Sequence, residues 1–172
     1  SGTVTLVSGG AISQDEAASV VTAGTLTGSA ATGVVLDGAN QVANLGDFEP
    51  GSGAFRLTNA RNLNLSGDIT ADGQTVELLV TGAISQNAAT SVITASTLTG
   101  SATGSAVLDG ANQITDLAAF NANGFTLNDA GGLTVTGNVN GGAGGVSLVT
   151  SGNLDLTSSV SSTGTVNLEA TG

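Results

Sequence analysis

Short stretches of this chain alternate hydrophobic and polar residues. Residues 63–65, 133–135 and 154–156 have the sequences LNL, LTV and LDL, in which a polar residue stands between two aliphatic ones. Successive side chains of a β-strand point to opposite faces, so this period of two places the aliphatic residues in a core and the polar residues in solvent. The pattern predicts many short strands, with Leu65 and Val135 among the interior residues.

Glycine, often preceded by Asp or Asn, separates the predicted strands, as in the Asp-Gly pairs at 37–38 and 109–110. Glycine tolerates the backbone conformations of tight turns, and Asp or Asn stabilises them through side-chain hydrogen bonds. Only DEAAS at 15–19 and NAATS at 87–91 resemble helix, and both are too short to be stable as helices. We expect these two segments to form outward turns or a single helical turn.

The whole pattern recurs with a long period. Residues 3–14 read TVTLVSGGAISQ and residues 75–86 read TVELLVTGAISQ, which is an offset of 72, and later matches have an offset of 70. The sequence LDGANQ occurs at 36–41 and returns unchanged at 108–113. A fixed long period is typical of a solenoid, in which each repeat covers the exposed face of the one before.

We divide the chain into units 3–74 and 75–144 and a partial unit 145–172, which together form one β-solenoid segment over residues 1–172. Gly-Val-x-Leu at 145–148 and Thr-Val-x-Leu at 165–168 lie 20 residues apart, which indicates a coil of that length. A unit of 72 residues then holds three coils with long turns or four tight ones.

The long repeat also decides between all-β architectures. Short strands at this spacing could form a sandwich or barrel, but the strands of a sandwich occupy unlike environments and need not resemble one another. We therefore predict an all-β fold, a parallel β-helix (β-solenoid) in which like residues stack in ladders along the axis. The four Phe residues recur as the pairs Phe48/Phe55 and Phe120/Phe125, and we expect both pairs to fill the core.

The amino-acid composition limits the classes of partner and binding site that we expect. Thirteen acidic residues stand against two basic ones, for a net charge of −11, and such a surface repels nucleic acid. No run of 18 apolar residues occurs, so we predict no membrane span. Without Cys the chain has no disulfide and no thiolate zinc site.

Catalytic chemistry has few candidate residues. The sequence contains no His, Cys, Tyr, Trp or Lys, so its Ser and Thr hydroxyls lack a base that could activate them. The densest acidic pair, Asp15 and Glu16, is replaced in the second unit by Asn87 and Ala88. We predict that the protein is not an enzyme and needs no cofactor; an enzymatic alternative, turnover of a polysaccharide, would depend on Asp15 or Glu16.

Four residues are candidates for binding. Asp37 and Asp109 recur in LDGANQ, and either they form a stacked row of carboxylates that captures Ca²⁺ or the motif is a turn whose Asn caps backbone groups; we favour the turn. Arg56 and Arg61 lie close together in the sequence and could contact an anion or another ligand, although a solvated pair with Asp47, Glu49 or Asp68 is the simpler expectation.

The string TLTGSA…VLDGANQ(V/I)xxL, followed by FxLxxAxxLxxxG, resembles the repeats of filamentous-haemagglutinin-type exoproteins, the large bacterial adhesins of two-partner secretion. The resemblance covers residues 3–144 and, more loosely, 145–172. It implies a right-handed parallel β-helix that forms part of a shaft and extends a distal binding domain from the cell. It also implies a secreted, surface-displayed protein exported by an outer-membrane transporter.

Two further expectations follow. The side of the solenoid could itself be a module that binds a glycan or a host protein, which is the alternative to a purely structural shaft. We also expect this chain to be a segment excised from a longer protein. Its uncapped end coils would then expose strand edges and favour end-to-end self-association.

Overall fold

The computed structural model describes residues 2–14 and 19–172. The chain is all-β, with 65% of its residues in strands, and it winds into a β-solenoid of about eight turns whose coils lie roughly 21 residues apart. Every pairing between the described strands is parallel. The predicted parallel β-solenoid is therefore confirmed.

The strands follow one another along the chain with short connections. They are β1 (Thr3–Ser8), β2 (Ile12–Ser13), β3 (Thr22–Ala30), β4 (Val34–Glu49), β5 (Phe55–Asn59), β6 (Leu63–Leu65), β7 (Ile69–Val80), β8 (Ile84–Gln86), β9 (Ile93–Ala102), β10 (Ala106–Asn121), β11 (Phe125–Asp129), β12 (Leu133–Val135), β13 (Val139–Asn140), β14 (Val146–Thr150), β15 (Leu154–Leu156), β16 (Val160–Ser161) and β17 (Val166–Ala170). A single-turn 3₁₀ helix covers Gly142–Gly144.

The NAATS segment forms a turn, as expected, in which the Thr90 amide donates to the Asn87 carbonyl oxygen at 3.0 Å. The matching DEAAS segment lies largely outside the described residues, and so do Asp15 and Glu16. The described residues contain no apolar helix of membrane-spanning length.

Equivalent positions of successive coils stack directly on one another. One outward-facing column runs without interruption along the described solenoid: Thr3, Thr25, Asn44, Asn64, Ser85, Val107, Thr126, Ser147 and Asn167. Beside it, Leu26, Leu45 and Leu65 stack inward and are fully buried. Val135 is fully buried as well, so the interior positions predicted for Leu65 and Val135 are confirmed.

Both Phe pairs lie inside the core, as predicted. The ring centroids of Phe48 and Phe55 are 5.0 Å apart, and those of Phe120 and Phe125 are 4.4 Å apart in a stacked arrangement. Gly28 stacks one coil before Phe48, where a Cβ atom would lie 3.0 Å from the Phe48 ring and would collide with the Leu6 carbonyl oxygen. Glycine is therefore needed here for the close approach of neighbouring coils.

The sequence repeat is three and a half coils long. Three coil steps lead from Val4 to Leu65, and a fourth reaches Gln86. Val76, the counterpart of Val4 in the second unit, comes 11 residues after Leu65, about half of the 21 residues that separate Leu65 from Gln86. The expectation of three or four coils per unit was therefore wrong by half a coil.

The half coil places equivalent residues of the two units in different columns. Val76 stacks between Phe55 and Leu98, whereas Val4 stacks on Leu26 at the start of another column. The interior ladders are mainly aliphatic, as predicted, with buried Gln86 as a polar exception in the column of Leu65, but like residues of the two units do not stack on one another. Neighbouring coils need to match in polarity and in total side-chain volume, and identity is not required.

The last coil leaves aliphatic side chains uncovered. Leu156, Val166 and Leu168 are 45%, 41% and 39% exposed, although their counterparts in earlier coils are buried. In the solenoid a following coil covers such residues. The end-to-end association expected from the sequence stays a prediction.

Leu65→Asp is expected to destabilise the fold by several kcal/mol, because it leaves an unpaired charge in a dry ladder. Asn64→Asp, which adds the same charge to the outward face of the same strand, is the matched control and should cost about 1 kcal/mol. Thermal unfolding followed by circular dichroism compares the two variants. An unchanged midpoint for Leu65→Asp would contradict the inward assignment.

Candidate functional site

Arg56 lies on the outer face of β5 and connects three coils. In the strand register it stacks between Val35 and Glu77. Its Nε atom is 2.8 Å from Asp37 Oδ1 and 3.1 Å from Glu77 Oε2. Arg56 Nε and Asp37 Oδ1 lack hydrogen-bond geometry, so their contact is an ion pair. The Arg56 side chain is 40% exposed, which limits the contribution of these pairs to about 1 kcal/mol or less.

The partners of Arg56 differ from the expected ones. It pairs with Asp37 and Glu77 rather than with Asp47, Glu49 or Asp68. The ion pairs join neighbouring coils and are therefore consistent with a structural role.

Arg61 does not join this cluster. It is exposed on the corner that follows β5, and within the described residues its side chain makes no ion pair. Its carbonyl oxygen accepts a hydrogen bond from Asn59 Nδ2 at 2.9 Å. The two arginines, which lie five residues apart in the sequence, do not form one site.

Asp37 and Asp109 are not stacked. Leu36, next to Asp37, pairs with Leu57, while Leu108, next to Asp109, pairs with Leu127 in a different column. The stacked carboxylate row considered from the sequence is therefore absent. Within residues 2–14 and 19–172 no group of three or more His, Cys, Asp or Glu side chains is arranged to hold a metal ion.

A buried pair of side-chain amides accounts for the invariance of LDGANQ. Gln86 Nε2 donates to Asn112 Oδ1 at 2.8 Å, and Asn112 Nδ2 donates to Gln86 Oε1 at 3.1 Å. The Gly110 amide donates to the same Gln86 oxygen at 2.9 Å, and a Cβ atom on Gly110 would lie 2.5 Å from the Ser91 carbonyl oxygen. The motif lies within β10, where the register shifts between Leu108 and Asn112, so a bulge in a continuous strand takes the place of the turn favoured from the sequence. The expected capping by Asn is confirmed, because Asn112 Oδ1 accepts from the Ile93 amide at 2.8 Å.

The first unit has the same arrangement. Gln14 Nε2 donates to Asn40 Oδ1 at 2.8 Å, Asn40 Nδ2 donates to Gln14 Oε1 at 3.0 Å, and the Gly38 amide donates to Gln14 Oε1 at 2.9 Å. In the sequence alone, AISQ and LDGANQ look like separate repeats. Their shared spacing of 26 residues, from Gln14 to Asn40 and from Gln86 to Asn112, is the signal that links them.

A second inward-facing corner differs between the two units. In the first unit, Asn59 Oδ1 accepts from the Val42 amide at 2.9 Å, and Asn59 Nδ2 donates to the carbonyl oxygens of Val42 at 3.0 Å and Arg61 at 2.9 Å. The amide thus serves as both acceptor and donor at this buried position.

Asp129 replaces this asparagine in the second unit. It accepts hydrogen bonds from the amides of Ile114 (2.7 Å, to Oδ2) and Gly131 (2.8 Å, to Oδ1), but a charged carboxylate can donate none. Asp129 is only 4% exposed, and burial raises its pKa, partly opposed by these two backbone hydrogen bonds. Asp129 is not among the residues predicted from the sequence, although the alignment of LTNA (57–60) with LNDA (127–130) contains the change.

Asp129 lines an open groove of about 480 Å³, which we call the Asp129 groove. Its polar lining consists of carboxylates, hydroxyls and one amide: Asp72, Thr94, Ser96, Gln113, Thr115 and Asp129. A second groove of about 320 Å³ also includes Asp129 and contains Asp109. Of the four residues selected from the sequence, Asp109 alone therefore lines a groove that Asp129 shares.

Comparison with known proteins adds no relative. No family model, no curated protein and no solved structure matches this chain.

Asp129→Asn is expected to stabilise the protein by about 1 kcal/mol at neutral pH, because it removes an uncompensated buried charge, and this gain outweighs the one backbone hydrogen bond that the new amide nitrogen cannot accept. Since the folded-state pKa is raised, the native state binds more protons than the unfolded state, and wild-type stability falls as pH rises from 3.8 through the folded value. The difference between wild type and variant should therefore shrink at pH 3. Urea unfolding at pH 7 and pH 3 measures both effects.

Asn59→Asp is the matched control, because it introduces the same carboxylate at the equivalent corner of the first unit. The variant should be less stable than wild type at pH 7, and this loss of stability should diminish as the pH falls. If the difference in unfolding free energy between Asp129→Asn and wild type were larger at pH 3 than at pH 7, this account of the corner would be refuted.

Proposed function

We propose that this chain is a structural shaft segment of a large secreted bacterial surface adhesin, in which it holds a distal binding domain away from the cell. The observation that carries the proposal is the outward column from Thr3 to Asn167, whose nine positions stack without a break. With strands about 4.8 Å apart, eight steps give a rod of about 38 Å.

The internal construction suits load bearing. Every coil is joined to the next by parallel strand pairs, and one hydrophobic core continues through the coils. Side-chain bonds between coils add to this, as where Asn64 Nδ2 donates to Asn44 Oδ1 and Ser85 Oγ donates to Asn64 Oδ1, both at 3.1 Å. Force applied along the axis is therefore shared by many hydrogen bonds.

The assignment to an adhesin rests on the resemblance of the repeats around LDGANQ to those of filamentous-haemagglutinin-type exoproteins. The same resemblance supports a cell-surface location and an outer-membrane transporter as partner of the parent protein.

The alternative is that the side of the solenoid binds a glycan or a host protein. The two grooves beside Asp129 favour this alternative, because a plain spacer has no need for concave polar surface. Glycan recognition would have to proceed without Trp or Tyr, since the chain contains neither.

Single-molecule stretching between the chain ends tests the shaft. The shaft predicts discrete unfolding events that together release roughly 550 Å, because the extended chain spans about 3.5 Å per residue. Leu65→Asp should remove or strongly weaken these events, whereas Asn64→Asp, which loses only the side-chain bond to Asn44, should largely preserve them. Smooth extension of the wild-type chain at low force, without discrete events, would contradict a load-bearing role.

Binding of the purified chain to a glycan panel and to host cells tests the alternative. A shaft without adhesive activity predicts no saturable binding beyond that of a variant with shuffled surface residues. Saturable binding of one glycan class or one cell type would instead assign adhesion to this segment.

A further inference from the structure

The carboxylate of Asp129 is buried without a compensating positive charge. Within the described residues the only ion pairs are those of Arg56 with Asp37 and Glu77. Its two hydrogen bonds occupy one lone pair on each oxygen, so acceptor capacity remains on both. A solenoid corner has no structural need for such a charge, since Asn59 fills the equivalent corner with its hydrogen bonds satisfied.

The Asp129 groove offers acceptors and no cation. Its lining contains a second acid, Asp72, together with hydroxyl and amide side chains, and it includes no basic residue. Its volume of about 480 Å³ is large enough for a long side chain and part of its backbone. The amides of Ile114 and Gly131 hold the Asp129 carboxylate in one orientation, so little conformational freedom is lost on binding.

The two units differ at this corner in a concerted way. Residues 59–62 are Asn-Ala-Arg-Asn, and residues 129–132 are Asp-Ala-Gly-Gly. Relative to the first unit, the second gains a buried acid, loses the cation of Arg61 and loses side-chain bulk where Gly131 lines the groove. These two substitutions, Asn59 to Asp129 and Arg61 to Gly131, are consistent with an open, negatively charged concavity at one position of the rod.

We propose that the Asp129 groove binds a cationic side chain, a guanidinium or an ammonium group, presented by a basic peptide segment of a partner protein. The guanidinium group fits best, because its planar array of donors matches carboxylate and hydroxyl acceptors. The net charge of −11 attracts such a partner, and the groove gives it a defined position. This site is additional to the shaft and does not depend on it.

Other ligands fit the groove less well. A metal ion lacks a cluster of three ligating side chains within the described residues. A sugar would have no aromatic ring to stack on, and an anion would meet Asp72 and Asp129 without a basic residue.

The test is a titration of the full chain with a short arginine-containing peptide, followed by ¹H–¹⁵N NMR. The matched probe is the same peptide with citrulline, which keeps the shape of arginine and removes its charge. We expect saturable shifts confined to residues 94–96, 113–115 and 129–132, and a much smaller response to the citrulline peptide. A lysine peptide in a parallel titration distinguishes ammonium from guanidinium.

Two variants test the site, and each copies a residue of the first unit. Asp129→Asn reproduces Asn59, and Gly131→Arg reproduces Arg61 and fills the groove with an internal cation. Each should weaken binding by at least about tenfold. Glu49→Gln, which removes an exposed charge in the first unit, is the control for net charge and should leave the affinity unchanged.

The proposal is overturned if the shifts spread over the whole acidic surface, or if Asp129→Asn and Glu49→Gln weaken binding equally. Either result would mean general attraction to a negative rod. Thermal unfolding of each variant confirms that a loss of binding is not a loss of fold, and stretching of the wild-type chain separately decides the shaft.

Discussion

The pairing of each coil with the next in parallel register is the constraint on which the rest of this structure depends. It aligns Leu26, Leu45 and Leu65 into a dry ladder and leaves the neighbouring column of Thr, Asn and Ser in solvent. The chain must turn at the corners of each coil, and the specific side-chain hydrogen bonds are found at these corners. The amide pair of Gln86 and Asn112 supplies the hydrogen bonds that the strand ladder cannot make there.

Much of this could be predicted from the sequence. The period of two identified Leu65 and Val135 as interior residues, and the long repeat identified a solenoid. The half coil could not be predicted, because corners absorb different lengths: one coil step covers 18 residues, from Leu117 to Val135, and another covers 24, from Ile69 to Ile93. A repeat offset therefore does not fix the number of coils.

The candidate site was harder to predict than the fold. The sequence marks Asp37 and Asp109 as repeated and Arg56 as an isolated charge, but it does not say which polar side chain turns inward. In the sequence Asp129 looks like an ordinary surface acid. The structure shows that it occupies the buried corner equivalent to the one that Asn59 fills in the first unit. The two units share one scaffold and differ at this corner, where Asp129 replaces Asn59. The difference therefore suggests a function for the corner of the second unit.

The stacked register is tested most directly by the distance between its two ends. The chain has no cysteine, so Thr3→Cys and Asn167→Cys introduce two unique sites for spin labels on the same outward column. Pulsed electron–electron double resonance should give one narrow distribution near 38 Å between the labelled backbone positions, for eight steps of about 4.8 Å. A distance of about half that value, or a broad distribution, would contradict the continuous solenoid.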